Sequence, residues 1–126
     1  MGAMSLTGFV SSETIYEAPE TISEVSQITT VEDAKEFIQN MYPELEDVAT
    51  CESEWKPEAK NPVGTASGIF QFLDSTAVWV YDQTYGGELN MENKNDLQVQ
   101  VTMAVWLYEH YQLSHWQYPC GTLMVH

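Results

Sequence analysis

Residues 43–57 read PELEDVATCESEWKP, a predicted helix in which one residue departs from the apolar pattern. Pro43 suits the first position of a helix. Three apolar residues share one face of that helix: Leu45, Val48 and Ala49. One turn further, the same face reaches Glu52, so a carboxylate stands where a core residue is expected. Burial would disfavour its charged form and suit Glu52 to general-acid chemistry; the alternative is a glutamate at a helix end that reaches water or Lys56.

A second helix is predicted before Pro43. Thr29 and Glu32 have the spacing of a capping box, and Tyr42 ends the helix because the residue before proline is pushed out of the α region. Its apolar residues recur with helical spacing: Ala34, Phe37, Ile38 and Met41. Downstream of Glu52, residues 58–68, EAKNPVGTASG, predict a loop or a small irregular hairpin.

Two more helices are predicted in the C-terminal half. Either Asp74 or Ser75 caps the first of them, which Gly86 ends. Asn95 caps the second, whose apolar residues continue to Tyr111. Three polar residues of this last helix are expected to face solvent: Gln98, Gln100 and Glu109.

Length and charge limit the function. The 126 residues suffice for one domain, and a hydrophobic share of 44% can build its core. We expect a mainly α domain over residues 29–126, preceded by a flexible acidic tail or linker over residues 1–28. No run of 18 apolar residues occurs, so we expect no membrane insertion. A net charge of −15 excludes a nucleic-acid binder, which needs a basic face.

The two cysteines, Cys51 and Cys120, fit neither a zinc knuckle nor a CxxC redox pair. They either form one long-range disulfide or are two unrelated buried thiols. Three histidines lack a metal-ligand arrangement: His110, His115 and His126. We therefore expect no metal and no cofactor. The start, Met-Gly-Ala-Met-Ser, lacks the regions of a signal peptide and resembles a cloning scar, so a native export signal is not visible.

Three segments, in order, resemble the lysozyme-like family of soluble lytic transglycosylases, with the related secreted cell-wall lysozymes and resuscitation-promoting-factor-type domains. Residues 51–57 resemble its Glu-Ser motif, and residues 64–72, GTASGIFQF, resemble its Gly-Leu-Met-Gln-type motif. The third segment begins at residues 104–108, which resemble the family's helix with a cleft-facing aromatic hydroxyl, and ends at residues 115–120, which resemble its closing His-Trp and cysteine. The resemblance covers about residues 31–120. It implies a lysozyme-like α+β domain of several helices with a small irregular loop or hairpin beside the cleft.

The resemblance also implies a site. Glu52 would be the catalytic acid, and Cys51 would form a disulfide with Cys120 in an oxidising compartment. Six residues would contact the substrate: Ser53, Ser67, Gly68, Gln71, Tyr108 and Trp116. Structural alternatives remain for three of these residues: Ser53 as a helix-cap hydroxyl, Gln71 as a link to a loop carbonyl, and Tyr108 as core. The other tryptophans are expected in the core: Trp55, Trp79 and Trp106.

Members of this family cleave the β-1,4 bond between N-acetylmuramic acid (MurNAc) and N-acetylglucosamine (GlcNAc) in peptidoglycan, and a single glutamate can yield 1,6-anhydro-MurNAc ends. One alternative is a hydrolytic muramidase, with Asp74 or Asp82 as the second acid. Another is a non-catalytic glycan-strand-binding module of a larger envelope or phage machine. The expected partner is the peptidoglycan glycan strand, bound by a monomer that is free or part of a larger parent protein. The expected location is secreted, periplasmic, cell-wall associated or virion-associated.

Overall fold

The structure is a computed structural model that describes residues 25–116. Four α-helices make up most of the fold: α1, Val31–Met41; α2, Pro43–Ser53; α3, Asp74–Tyr85; and α4, Leu97–Tyr111. Two short 3₁₀ helices, Met91–Asn93 and Ser114–Trp116, flank α4. Residues 1–24 of the predicted tail, and the C-terminal segment with Cys120 and His126, lie outside the described residues. No helix in the described range is long and apolar enough to cross a bilayer.

The boundary between α1 and α2 confirms the prediction from Pro43. The proline holds the first position of α2, and Tyr42 leaves the helical region with φ −143°. The capping box of α1, however, is one residue later than predicted. Thr30, not Thr29, is the N-cap, and its hydroxyl accepts a hydrogen bond from the backbone N of Asp33 at 3.0 Å. The Asp33 carboxylate accepts from the Thr30 backbone N at 3.2 Å, which completes the reciprocal pair.

The predicted caps of α3 and α4 are wrong, because the side chains of Asp74 and Asn95 bond to residues distant in sequence rather than to their own helices. Neither Asp74 nor Ser75 caps α3; the preceding residue holds the N-cap position, and Asp74 Oδ1 accepts from Lys94 Nζ at 2.8 Å. Asn95 does not cap α4 either, since the following residue is the N-cap. Its amide nitrogen donates instead to Ser67 Oγ at 3.3 Å.

The core lies where α4 meets the other helices. α3 packs along α4, α1 packs along α2, and α4 also contacts α1. Three residues of α4 are completely buried: Val101, Met103 and Ala104. Val25 and Ile28, which fall inside the predicted tail, are buried in the same core. Gly86 ends α3 in the left-handed conformation, with φ +74°, as predicted.

Residues 54–73 form the α2–α3 loop, which contains the small irregular hairpin predicted over residues 58–68. Ser67 makes isolated antiparallel bridges to Lys60 and to Phe72. The apolar residues of the loop are buried: Ile69, Phe70 and Phe72. Because these side chains belong to the core, the loop is packed against the helices over its second half.

Candidate active site

Glu52 lies in the last turn of α2, one residue before the helix ends. Its side chain is half-buried, and its carboxylate has no hydrogen bond or ion pair with another residue of the range 25–116. Burial raises the pKa of this carboxyl above its ordinary value. Lys56, the alternative partner, pairs with Glu54 instead, at 3.5 Å on the surface. Glu52 is therefore a partly desolvated carboxylate without a neutralising cation in this part of the chain.

The chain turns sharply after α2. Glu54 and Trp55 adopt φ +57° and +65°, the left-handed region that residues with side chains seldom adopt. Trp55 is buried, and its ring contacts Phe70 edge-on with a centroid distance of 6.1 Å. Within the described residues its indole N–H has no hydrogen-bond partner. Packing of the indole therefore holds the turn that leads the α2–α3 loop back along the end of α2.

Ser53 joins the end of α2 to the α2–α3 loop by a hydrogen bond. Its hydroxyl donates to the Ile69 carbonyl oxygen at 2.8 Å, and the Ala49 carbonyl oxygen lies 3.4 Å away. The side chain is only 8% exposed. The hydroxyl is therefore committed to the backbone of the α2–α3 loop, and this geometry suits a positioning role better than a direct sugar contact.

The amide nitrogen of Gln71 binds carbonyl oxygens of the α2–α3 loop, which is the structural alternative considered for this residue. Nε2 donates to the Gly68 carbonyl oxygen at 2.9 Å and to the Ala59 carbonyl oxygen at 3.2 Å, so it bonds the loop and not Glu52. The residue has φ +54° and is half-buried. Its amide oxygen accepts no hydrogen bond from the described residues. That oxygen is the group of Gln71 left to contact a ligand.

Ser67 and Gly68 lie on the side of the loop that faces α4. Gly68 has φ +89°, and a Cβ there would collide with the side-chain oxygen of Gln100 and lie 2.7 Å from Asn95 Oδ1. Its backbone N donates to the Ala59 carbonyl oxygen at 2.8 Å. Position 68 therefore requires a glycine, because the loop packs too closely against α4 to leave room for a side chain. Ser67 lines a polar pocket of about 340 Å³ to which Glu52 does not contribute.

Tyr108 lies toward the opposite end of α2 from Glu52. Its ring meets Tyr42 edge-on, with centroids 6.0 Å apart, and its hydroxyl faces the Glu44 carboxylate. Burial, followed by the hydrogen bond and charge of Glu44, raises the pKa of Tyr108. Glu44 and Glu52 are eight residues apart on one helix, which is roughly 12 Å along its axis. The structure therefore does not bring the Tyr108 hydroxyl beside the candidate acid.

Trp116, which was predicted to contact the substrate, is a core residue in the structure. Trp116 is 3% exposed, and its indole N–H donates to the Phe70 carbonyl oxygen at 3.1 Å. Trp116 thus packs against the α2–α3 loop. Of the tryptophans predicted in the core, Trp55 is buried and Trp106 is half-buried, whereas Trp79 is 44% exposed and packs edge-on against Trp106.

Gln100 was expected to face solvent and is instead 1% exposed. Its Oε1 accepts from the Ile69 backbone N at 2.5 Å, and its Nε2 donates to the Asn95 carbonyl oxygen at 2.6 Å. Sequence reasoning missed this residue. The available indication was its spacing, three residues after Leu97 and four before Ala104, which places it on the apolar face of α4.

Two further site predictions concern metals and the disulfide. Within residues 25–116, no group of three or more His, Cys, Asp or Glu side chains could hold a metal ion. Cys51 is disulfide-bonded. Its predicted partner, Cys120, lies outside the described residues, so the pairing itself stays a prediction.

The comparison with protein families gives one match. Residues 30–117 match the family model described as the transglycosylase SLT domain. No curated protein and no solved structure matched the chain. The match spans α1 to α4, so it confirms the resemblance drawn from the motifs and, with the four helices, the mainly α, lysozyme-like fold class. The chain therefore belongs to the transglycosylase SLT domain family, a family of peptidoglycan lytic transglycosylases.

Proposed function

We propose that this protein is a peptidoglycan lytic transglycosylase whose catalytic acid is Glu52. One observation carries the proposal: a half-buried carboxyl with a raised pKa lies in the last turn of α2, and Ser53 bonds that turn to the α2–α3 loop. A carboxyl that keeps its proton toward neutral pH can donate it to a leaving glycosidic oxygen. The bond cleaved is the β-1,4 bond between MurNAc and GlcNAc.

The reaction needs one carboxyl group. Glu52 donates its proton to the glycosidic oxygen as the bond from that oxygen to C1 of MurNAc breaks, and GlcNAc leaves with a hydroxyl. The Glu52 carboxylate then accepts the proton of the MurNAc 6-hydroxyl while that oxygen bonds to C1. The product is a 1,6-anhydro-MurNAc end, and Glu52 is protonated again.

A hydrolytic muramidase is less favoured because it needs a second acid, either about 5 Å or about 6.5–9.5 Å from the first. The two candidates have other surroundings. Asp74 is paired with Lys94, whose Nζ donates to its carboxylate at 2.8 Å. Asp82 is exposed on α3. A binding module without activity is also less favoured, since it has no use for a desolvated acid.

The other predicted site residues divide by their contacts. We assign Ser53 and Gly68 to positioning of the α2–α3 loop, since both are buried and bonded to it. We assign the Gln71 amide oxygen and the Ser67 hydroxyl to substrate contact. Tyr108 would contact a more distant part of the strand. Trp116 is not assigned to the substrate.

We further propose that the protein acts outside the cytoplasm, on glycan strands, as a monomer that is free or part of a larger parent protein. Peptidoglycan lies in that space, and the disulfide of Cys51 fits an oxidising location. The net charge of −15 would slow the capture of an anionic polymer, so attachment to a parent protein would raise the local concentration of enzyme at the wall.

The test compares Glu52→Gln with a matched neighbour. Glu54→Gln changes an exposed glutamate two residues away. Release of soluble fragments from purified peptidoglycan is expected from the wild type and from Glu54→Gln, with a loss of at least about a hundredfold in Glu52→Gln. Equal release by Glu52→Gln and the wild type would contradict the assignment of the acid.

A further inference from the structure

Gln100 has a buried amide group that makes three hydrogen bonds, one to its oxygen and two from its nitrogen. Oε1 accepts from the Ile69 N at 2.5 Å; Nε2 donates to the carbonyl oxygens of Asn95, at 2.6 Å, and of Pro57, at 3.4 Å. The partners fix the orientation of the amide, because a backbone N–H needs an acceptor and a carbonyl oxygen needs a donor. One side chain thus joins the loop after α2, the motif segment around Ile69 and the start of α4.

Ile69 is held at both ends of its backbone. Gln100 binds its N–H from α4, and Ser53 binds its carbonyl oxygen from α2 at 2.8 Å. Ser53 directly follows Glu52 in the last turn of α2. A displacement of the Ile69 backbone would therefore act on the helix turn that carries the candidate acid.

Gly68 and Gln100 fit each other at this contact. Gln100 occupies a buried position on the apolar face of α4, where an amide costs free energy unless it is hydrogen-bonded. Gly68 leaves the space that the Gln100 oxygen occupies, since a Cβ at position 68 would collide with that oxygen. A leucine or methionine at position 100 would fill the core but leave the Ile69 N–H without its acceptor.

We propose that Gln100 is a positioning residue of the active site: it holds the Gly68–Ile69 peptide against the end of α2 and so fixes the placement of Glu52. The inference rests on the proposed function of Glu52 and assigns a part of the same site on another helix. Gln100 itself does not contact the substrate.

The test compares Gln100→Met with Gln98→Met. Gln98 is the same residue type on the same helix, and its Nε2 donates to the carbonyl oxygens of Ile28 and Ser26, away from the α2–α3 loop. Both variants lose amide-to-backbone bonds, so both are expected to melt at a lower temperature. Only Gln100→Met is expected to lower kcat, by tenfold to a hundredfold, because a displaced acid meets the leaving oxygen poorly.

The second readout is the titration of Glu52 by NMR, which needs no activity. In Gln100→Met the Glu52 pKa is expected to fall toward its ordinary value, since a loosened loop lets water reach the carboxylate. In Gln98→Met it is expected to stay unchanged. Should wild-type protein release no fragments, the proposed function fails, and the titration alone decides whether Gln100 positions Glu52.

The proposal is overturned if Gln100→Met folds and keeps both kcat within about twofold and the wild-type Glu52 pKa. If Gln100→Met does not fold, Gly68→Ala decides, because it drives the loop away from Gln100 while keeping that residue. Gly68→Ala is expected to lower kcat and the Glu52 pKa in the same directions. Wild-type values of both in Gly68→Ala would contradict the proposal.

Discussion

The Ser53 hydroxyl lies 2.8 Å from the Ile69 carbonyl oxygen, and this bond joins the helix that carries Glu52 to the loop that carries Gln71. Two of the motifs by which the chain resembles its family, residues 51–57 and 64–72, are therefore in direct contact. Ser53→Ala would leave the buried Ile69 carbonyl without its donor, and we expect the free energy of unfolding to fall by about 1–3 kcal/mol.

The matched control for this change is Ser114→Ala. The Ser114 hydroxyl also donates to a backbone carbonyl oxygen at 2.8 Å, that of Tyr111, but on the exposed surface. We expect a change within about 0.5 kcal/mol there. Urea denaturation of the two variants measures both values, and equal losses would show that the Ser53 bond has no special weight.

The raised pKa of Glu52 has two consequences for pH dependence. Activity requires the protonated acid, so kcat/KM is expected to fall as pH rises through a pKa above the ordinary value for glutamate. Burial penalises only the ionised form, so the folded state loses stability as pH rises through the same range. Glu52→Gln is therefore expected to be more stable than the wild type at neutral pH.

Thermal melting of Glu52→Gln and the wild type between pH 3 and pH 8 checks the stability part of this prediction. The difference between the two proteins should vanish below the unfolded-state pKa of glutamate, where both side chains are neutral. A Glu52→Gln protein that is less stable than the wild type at pH 7 would mean that the carboxylate has a stabilising partner.

Lys94 ties the α2–α3 loop to the start of α3. The side chain is 5% exposed, and its Nζ donates to Asp74 Oδ1 at 2.8 Å and to the Thr65 carbonyl oxygen at 2.9 Å. Lys94→Met is expected to lower the free energy of unfolding by about 1–3 kcal/mol, because both acceptors lose a charged donor. Lys56→Met removes an exposed pair with Glu54 and should cost less than about 0.5 kcal/mol. Chemical denaturation distinguishes the two.

The disulfide of Cys51 is expected to stabilise the end of α2. If Cys120 is the partner, the bridge closes a long loop, and its loss in Cys51→Ser should cost about 2–4 kcal/mol. Melting with and without reductant measures this loss, with the Cys51→Ser protein insensitive to reductant. Thiol titration of the native protein should find no free cysteine, and two reactive thiols would contradict the bridge.

Local features were predictable from the sequence. Proline stiffness set the boundary between Tyr42 and Pro43, and helical periodicity placed Glu52 at a half-buried position near the end of α2. Gly86 ended α3 by the same local chemistry. These features depend on residues that are close together in the chain, so a sequence pattern can predict them.

Features that depend on distant contacts were not predictable. Asn95 bonds Ser67 instead of capping α4. Helical spacing could place Gln100 on the apolar face of α4, but it could not identify its partner, the Ile69 N–H, which is remote in sequence. Trp116 is buried because the Phe70 carbonyl oxygen accepts its indole N–H. In each case a hydrogen bond to a residue distant in sequence outweighed the local preference, and a sequence period does not show where that partner lies.

The central claim is that Glu52 acts alone as acid and then base. The most direct test is mass spectrometry of purified peptidoglycan digested by the wild type and by Glu52→Gln. We expect fragments ending in 1,6-anhydro-MurNAc from the wild type, and none from Glu52→Gln. Fragments ending in reducing MurNAc from the wild type, or the same anhydro fragments from Glu52→Gln, would contradict it.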